Sequence, residues 1–221
     1  MARGADIPGS GRPGTGRPEA GRPAGPSEGL PSAWSPLLAR PGLAELLGEP
    51  LVDAALGHLH RLLPPPVAVH SLRTFLLADA WARACGADYD RAGLLAATAF
   101  HDTGLVGRAP LGRGGFPARS AELLDEFLAG QRVDGERRRA LTGAVRAHLR
   151  PFPARDAGPE ARLLHFGAWL DVTGRGARRL PGERRLLTRL APTPWFVLSF
   201  SARTAACGLR RVLPGPPDAR R

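Results

Sequence analysis

The chain has 221 residues, 31 Lys+Arg against 20 Asp+Glu, and a formal charge of +11. That length builds one sizeable core, and no run approaches the ~20 apolar residues that would span a bilayer. Cys85 and Cys207 make neither a disulfide framework nor a CxxC metal knuckle, which excludes a secreted disulfide scaffold and leaves a reducing cytoplasm as the expected compartment. The basic charge is a weaker guide. The chain contains no Lys, no Asn and a single Ile, a pattern that GC-rich coding produces by itself. The surplus is also uneven: Val172 to Arg221 holds eleven Arg against Glu183 and Asp218. No zinc finger or aromatic interleaving accompanies it, so a solvated Arg surface is the expected reading and nucleic acid is not an expected partner.

Residues 1–30 repeat Gly-Arg-Pro every five residues, at 11–13, 16–18 and 21–23. Such a segment buries too little apolar area to offset its ordering entropy, and disorder is expected. It lacks the apolar core of a signal peptide. From Trp34 the composition changes. Leu43, Leu46, Leu47, Leu51, Val52, Ala55, Leu56, Leu59 and Leu62 recur at helical spacing, interrupted at Pro50. His58 and His60, two apart, cannot share a helix face and are expected to be exposed or capping. Pro64-Pro65-Pro66 is a rigid break. A helix over 67–85 then carries His70, Arg73, Thr74 and Leu77 on one stripe.

Asp90 is a plausible N-cap for the segment Gly93 to Gly104. That segment is apolar on every face and ends abruptly in His101-Asp102, which predicts burial all round. Gly104 suits a helix stop at positive φ. The Gly-rich stretch 104–115 reads as a loop. Helices follow over 120–128 and from Asp134 to Leu149, the second with His148 on its inward stripe. Pro159 fits the first turn of the next helix, in which apolar residues lead to Asp171, with His165 close to its face. Glu183–Leu190 and a helix from Trp195 to about Val212 complete the chain, and 214–221 is a frayed end. No period-2 strand appears, so the fold is expected to be all-α.

Four residues from three helices stand out: His70, His101, Asp102 and Asp171. Each lies on or at the end of an apolar face. A buried, unpaired carboxylate is costly, so it must be neutralised, paired or bound to a metal. Two imidazoles and two carboxylates suit one divalent transition metal such as Zn²⁺, Fe²⁺ or Mn²⁺.

In order and spacing, His70, then His101-Asp102, then Asp171 resembles the HD-domain superfamily of metal-dependent hydrolases, over residues 35–205. His70-Ser71-Leu72-Arg73, the Ala/Leu run into His101-Asp102-Thr103-Gly104-Leu105, the lone His148 and Leu170-Asp171-Val172-Thr173-Gly174 are similar to the cyanamide-hydratase-like branch. The resemblance implies an HD-domain helical bundle over 31–213, with a metal held by His70, His101, Asp102 and Asp171 and metal-activated water as the reagent. Asp102 is then a candidate proton acceptor. His148 is an acid/base candidate or a ligand for a second metal, and Arg73 a candidate to face substrate charge. Leu105 stands where the cyclic-dinucleotide phosphodiesterase branch has Lys, and no acid follows His-Asp as in alarmone hydrolases, so those substrates are not expected.

Three functions follow. The first is hydration or hydrolysis of a small nitrile, amide or related C–N compound, which predicts a compact apolar pocket. The second is a phosphohydrolase acting on a nucleotide or phosphomonoester, which predicts Arg residues converging on the metal. The third is a basic binding module without turnover. The apolar tail helix leaves a homodimer open.

Overall fold

The computed structural model describes residues 29–106, 114–194 and 196–212. Most of the expected N-terminal tail, the expected frayed end 214–221 and part of the Gly-rich loop lie outside the described residues; Leu30 packs on the core. The described residues are all-helical, and none of their helices is long and apolar enough to cross a membrane.

Two short helices, α1 (Ser35–Leu38) and α2 (Pro41–Ala44), lead to α3 (Pro50–Leu62). Pro50 opens α3 rather than interrupting it, because Pro in the first turn has no N–H to lose. In the same way the proline run breaks the chain only at Pro64, while Pro65 and Pro66 start α4 (Pro65–Cys85). Gly86 closes α4 in the left-handed conformation that glycine tolerates. Asp90 caps α5 (Arg91–Phe100), accepting from the Gly93 N–H as expected. Then come α6 (Gly115–Gly130), α7 (Gly135–Ala147, capped by Asp134), α8 (Pro159–Thr173), α9 (Glu183–Leu190) and α10 (Phe196–Val212).

Two helices form the interior. Every residue of α4 from Val67 to Asp79 is buried, and so is every residue of α5 from Gly93 to Phe100. Helices α3, α6, α7, α8 and α10 pack around them. The tail helix therefore belongs to the core assembly: its Phe196 is buried and stacks on His70 at 4.7 Å between ring centres, although Leu198 is 69% exposed.

The packing of α4 on α8 depends on Gly167. A Cβ there would collide with the Thr74 carbonyl oxygen and stand 3.2 Å from the Ala78 Cβ. This close approach sets the register: one helical turn beyond Gly167 is Asp171, and one turn before Thr74 is His70. Gly104 also serves a close approach rather than the left-handed stop expected of it. Its φ is not positive, its N–H donates to Ser120 Oγ at 2.8 Å, and a Cβ would collide with the Phe116 carbonyl oxygen. It binds the chain just after His101-Asp102 to the start of α6.

His58 corrects another expectation. It is half-buried, stacked on Phe100 at 4.1 Å and 20°, and its Nε2 has no hydrogen-bond partner among the described residues. Burial, aided by Arg61, holds its pKa at about 4. His60 remains exposed, edge-on to Trp34.

Two predictions follow from this packing. Gly167→Ala should lower stability by about 1–3 kcal/mol in urea denaturation, the usual cost of overpacking. Gly130→Ala, with open space at its Cβ, should leave it unchanged or slightly raised; equal effects at the two sites would contradict the proposed register. Because the folded-state pKa of His58 lies below its unfolded value, the unfolded chain binds more protons, so the His58 contribution falls as pH drops from about 6.5 towards about 4. Stability of His58→Phe should fall less over that interval, and a slope identical to that of the parent chain would refute the assignment.

Candidate metal centre

Helix α5 ends by turning His101 inward as its C-cap, and Asp102 follows at φ −110°. Thr98, one turn back, presents its carbonyl oxygen to His101 Nδ1 at 2.7 Å. A carbonyl can only accept, so Nδ1 carries the proton and Nε2 points onward with its lone pair. From α4, His70 Nδ1 lies 2.7 Å from Asp171 Oδ2, so His70 also directs Nε2 inward. At the end of α7, His148 Nδ1 donates to the Val145 carbonyl oxygen at 2.6 Å. Three of the six histidines thus converge with the same nitrogen foremost.

Asp102 sits among them at 1% exposure. Its Oδ2 is 3.3 Å from His101 Nε2 and 3.8 Å from His70 Nε2, and its Oδ1 is 3.7 Å from His148 Nε2. The Nε2 atoms of His70 and His101 are 3.2 Å apart. Neither Asp102 oxygen has a hydrogen-bond partner among the described residues, and His148 Nε2 has none. A buried carboxylate without a donor is a costly arrangement that a cation relieves. His70, His101 and Asp102 offer one ligand atom each within 4.8 Å of one another, and together they form a group that can hold a metal ion. The donor set of imidazole nitrogen and carboxylate oxygen is that of borderline transition metals.

Electrostatics keep these groups in their metal-binding forms. Burial pushes the His101 pKa down to about 4, against the pull of Asp102, so the ring is neutral at neutral pH. Burial alone would raise the Asp102 carboxyl, but His101, His148 and His70 outweigh it and hold the pKa at about 2. A neutral imidazole and an ionised carboxylate are the ligating states.

The structure brings three of the four expected ligands together and places Asp171 behind one of them. Its Oδ2 accepts from His70 Nδ1 and from Arg73 Nη2 at 2.9 Å, while its buried Oδ1 has no hydrogen-bond partner among the described residues. An acidic partner on the outer nitrogen fixes the tautomer and orientation of a ligating imidazole. Burial tends to raise the Asp171 carboxyl, but His70 and Arg73 bring it below its ordinary value. Arg73 does not face the cavity. It is buried between Asp171 and the Ala191 carbonyl oxygen, while Asp79, on the same helix, is engaged by Tyr89, Arg83 and Arg91. His148 stands at the edge of the ligand group, as an acid/base candidate requires. His165 points away, its Nε2 bonded to the Arg150 carbonyl oxygen at 2.9 Å.

A cavity of about 160 Å³ opens from His70, His101, Asp102 and His148. Leu149, Ala168, Trp169, Val172 and Phe200 wall it, with Thr173 at its rim. Sequence reasoning missed these walls. Trp169 lies on a helix with apolar residues on most sides, so no periodicity marks its face. Phe196 and Phe200 are one turn apart on α10, a spacing that could have found them. No protein-family model matches the chain, and a search of curated proteins finds no match.

Removing Asp171 leaves Arg73 buried without its carboxylate. Asp171→Ala should therefore cost about 3–5 kcal/mol in denaturation of chelator-treated protein; a loss under about 1 kcal/mol, as for an exposed pair, would contradict the pairing. The depressed carboxyl adds a sign. Its contribution is complete above the ordinary carboxylate range near about 4 and is lost as pH falls through the folded value.

Proposed function

We propose that this chain is a metal-dependent hydrolase or hydratase of the HD-domain type, acting on a small nitrile, amide or related C–N compound. The observation that carries the reading is the convergence of two imidazole Nε2 atoms on a carboxylate that has no hydrogen-bond partner among the described residues, at the base of an apolar cavity. His70, His101 and Asp102 would hold a divalent transition metal, whose Lewis acidity would bring the pKa of water towards neutrality. Asp171 holds His70 in the ligating tautomer, and the Thr98 carbonyl does the same for His101.

The protein groups then handle the proton. His148 Nε2 faces Asp102 Oδ1 at 3.7 Å and has no hydrogen-bond partner among the described residues. His148 takes a proton from the attacking water and returns it to the substrate nitrogen. For a nitrile, the water oxygen joins carbon and both water protons end on the product, so atoms balance. Leu149, Trp169, Val172 and Phe200 exclude bulk water and strengthen each polar contact inside.

The cavity favours this substrate class over a nucleotide or phosphomonoester. At about 160 Å³ it is smaller than the ~300–1,000 Å³ sites that enclose drug-sized ligands. Among the described residues no Arg lines it, whereas a phosphohydrolase calls for cationic donors at the transferring group. The nearest Arg on the ligand helix, Arg73, is committed to Asp171.

Metal analysis of purified protein tests the reading, followed by turnover assays with Zn²⁺, Fe²⁺ or Mn²⁺ on small nitriles, amides and phosphomonoesters. His101→Ala should lose near-stoichiometric metal. His148→Gln should keep the metal and lose about 10²–10⁴-fold in turnover of a nitrile or amide. Full metal retention by His101→Ala, or turnover confined to phosphomonoesters, would overturn the proposal.

A further inference from the structure

Trp169 has a second side. Beyond it lies a larger groove of about 830 Å³, which Trp169 also lines. Four arginines reach this groove: Arg155, Arg162, Arg175 and Arg179, all exposed. Among the described residues no Asp or Glu lines it, and no carboxylate pairs with these four. Some arginines elsewhere do meet acids: Arg40 pairs with Glu183, Arg83 with Glu45, Arg119 with Glu122, Arg137 with Asp90 and Arg138 with Asp125. Arg-rich coding scatters arginine over a surface, but it does not by itself gather four of them with Trp81, Phe152, Phe166 and Trp169 around one groove.

Aromatic rings share the groove. Arg175 lies 4.7 Å from the ring centre of Phe152 and 5.4 Å from that of Trp169, and Arg179 lies 5.1 Å from that of Trp81. Phe166 stacks beside Trp81 at 5.1 Å. A guanidinium held over a ring face can still present N–H groups for contact with phosphate. Carbonyl oxygens fix two of the arginines: Pro151 accepts from Arg175, while Arg155 and Ala157 accept from Arg162. Phe152 is 70% exposed, a large ring face offered to solvent.

We infer that this groove binds a nucleotide, its base stacking on Phe152 and its phosphates meeting Arg155, Arg175 and Arg179. Stacking rings beside unpaired cations are the chemistry that recognises a flat heterocycle bearing phosphates. The groove volume lies within the range of small-ligand sites, which fits one nucleotide rather than a strand. The site is separate from the metal centre and does not rest on the proposed hydrolase activity.

The test is a binding titration of the full chain with ATP, inorganic tripolyphosphate, adenosine and a thymidine oligonucleotide, read by calorimetry and by tryptophan fluorescence. ATP should bind once per chain and quench the fluorescence. Arg179→Ala should weaken ATP by roughly tenfold, and Phe152→Ala by at least about fivefold. His101→Ala, confirmed folded by circular dichroism, and chelator-treated protein should bind ATP as the parent does. Any of four results would overturn the inference: no saturable ATP binding, equal affinity for tripolyphosphate, tighter binding of the oligonucleotide, or loss of binding with the metal centre. Phe152 and Arg179 are surface residues, so misfolding does not confound these variants.

Discussion

The site depends on where three imidazoles place their Nδ1 protons. His101 and His148 each donate to a backbone carbonyl three residues back, and His70 donates to Asp171. Each donation leaves Nε2 as the nitrogen that faces Asp102. The 3.2 Å between the Nε2 atoms of His70 and His101 then has room for one shared proton or one cation, and the two compete for the same lone pairs. Everything else in the centre keeps this convergence dry and aligned.

The fold supplies the alignment through close approaches that only glycine allows. Gly167 lets α8 settle onto α4 so that Asp171 reaches His70 and Arg73. Gly104 ties the chain after Asp102 to α6 through Ser120. Helix α10 closes the remaining side with Phe196 against His70 and Phe200 over the cavity. Arg73 is the electrostatic anchor beneath the site. It offsets the charge of Asp171, and that pair fixes the orientation of His70. The polar residues expected at the site thus divide into His70, His101 and Asp102, which could hold a metal ion, Asp171 and Arg73 behind them, and His148, which lines the cavity.

Much of this was legible in the sequence because it is local. The all-apolar run into His101-Asp102 announces a buried element ending in a charge, and the stripe containing His70 announces an inward imidazole. Asp90 and Asp134 announce helix starts by their own side-chain chemistry. What was not legible depends on pairings far apart in sequence. Nothing local says that Arg73 meets Asp171, 98 residues away, rather than Asp79 or Asp102. Nor does anything say whether an inward Asp reaches the ligand group or the imidazole behind it. His58 was expected to be exposed or capping because it cannot share a helix face with His60, yet Phe100 and Phe127 cover it from two other helices. The arginine groove was hidden for the opposite reason. Arginine is so common in this chain that only their convergence with aromatic rings on one groove sets those four apart.

The histidine tautomers test the central claim most directly. Two-bond ¹H–¹⁵N correlation spectra of the Zn²⁺-loaded chain at neutral pH report which nitrogen of each ring carries a proton and which meets the metal. The account predicts protonated Nδ1 and metal-shifted Nε2 for both His70 and His101. Coordination through Nδ1, or spectra of the two rings left unchanged by Zn²⁺, would contradict it.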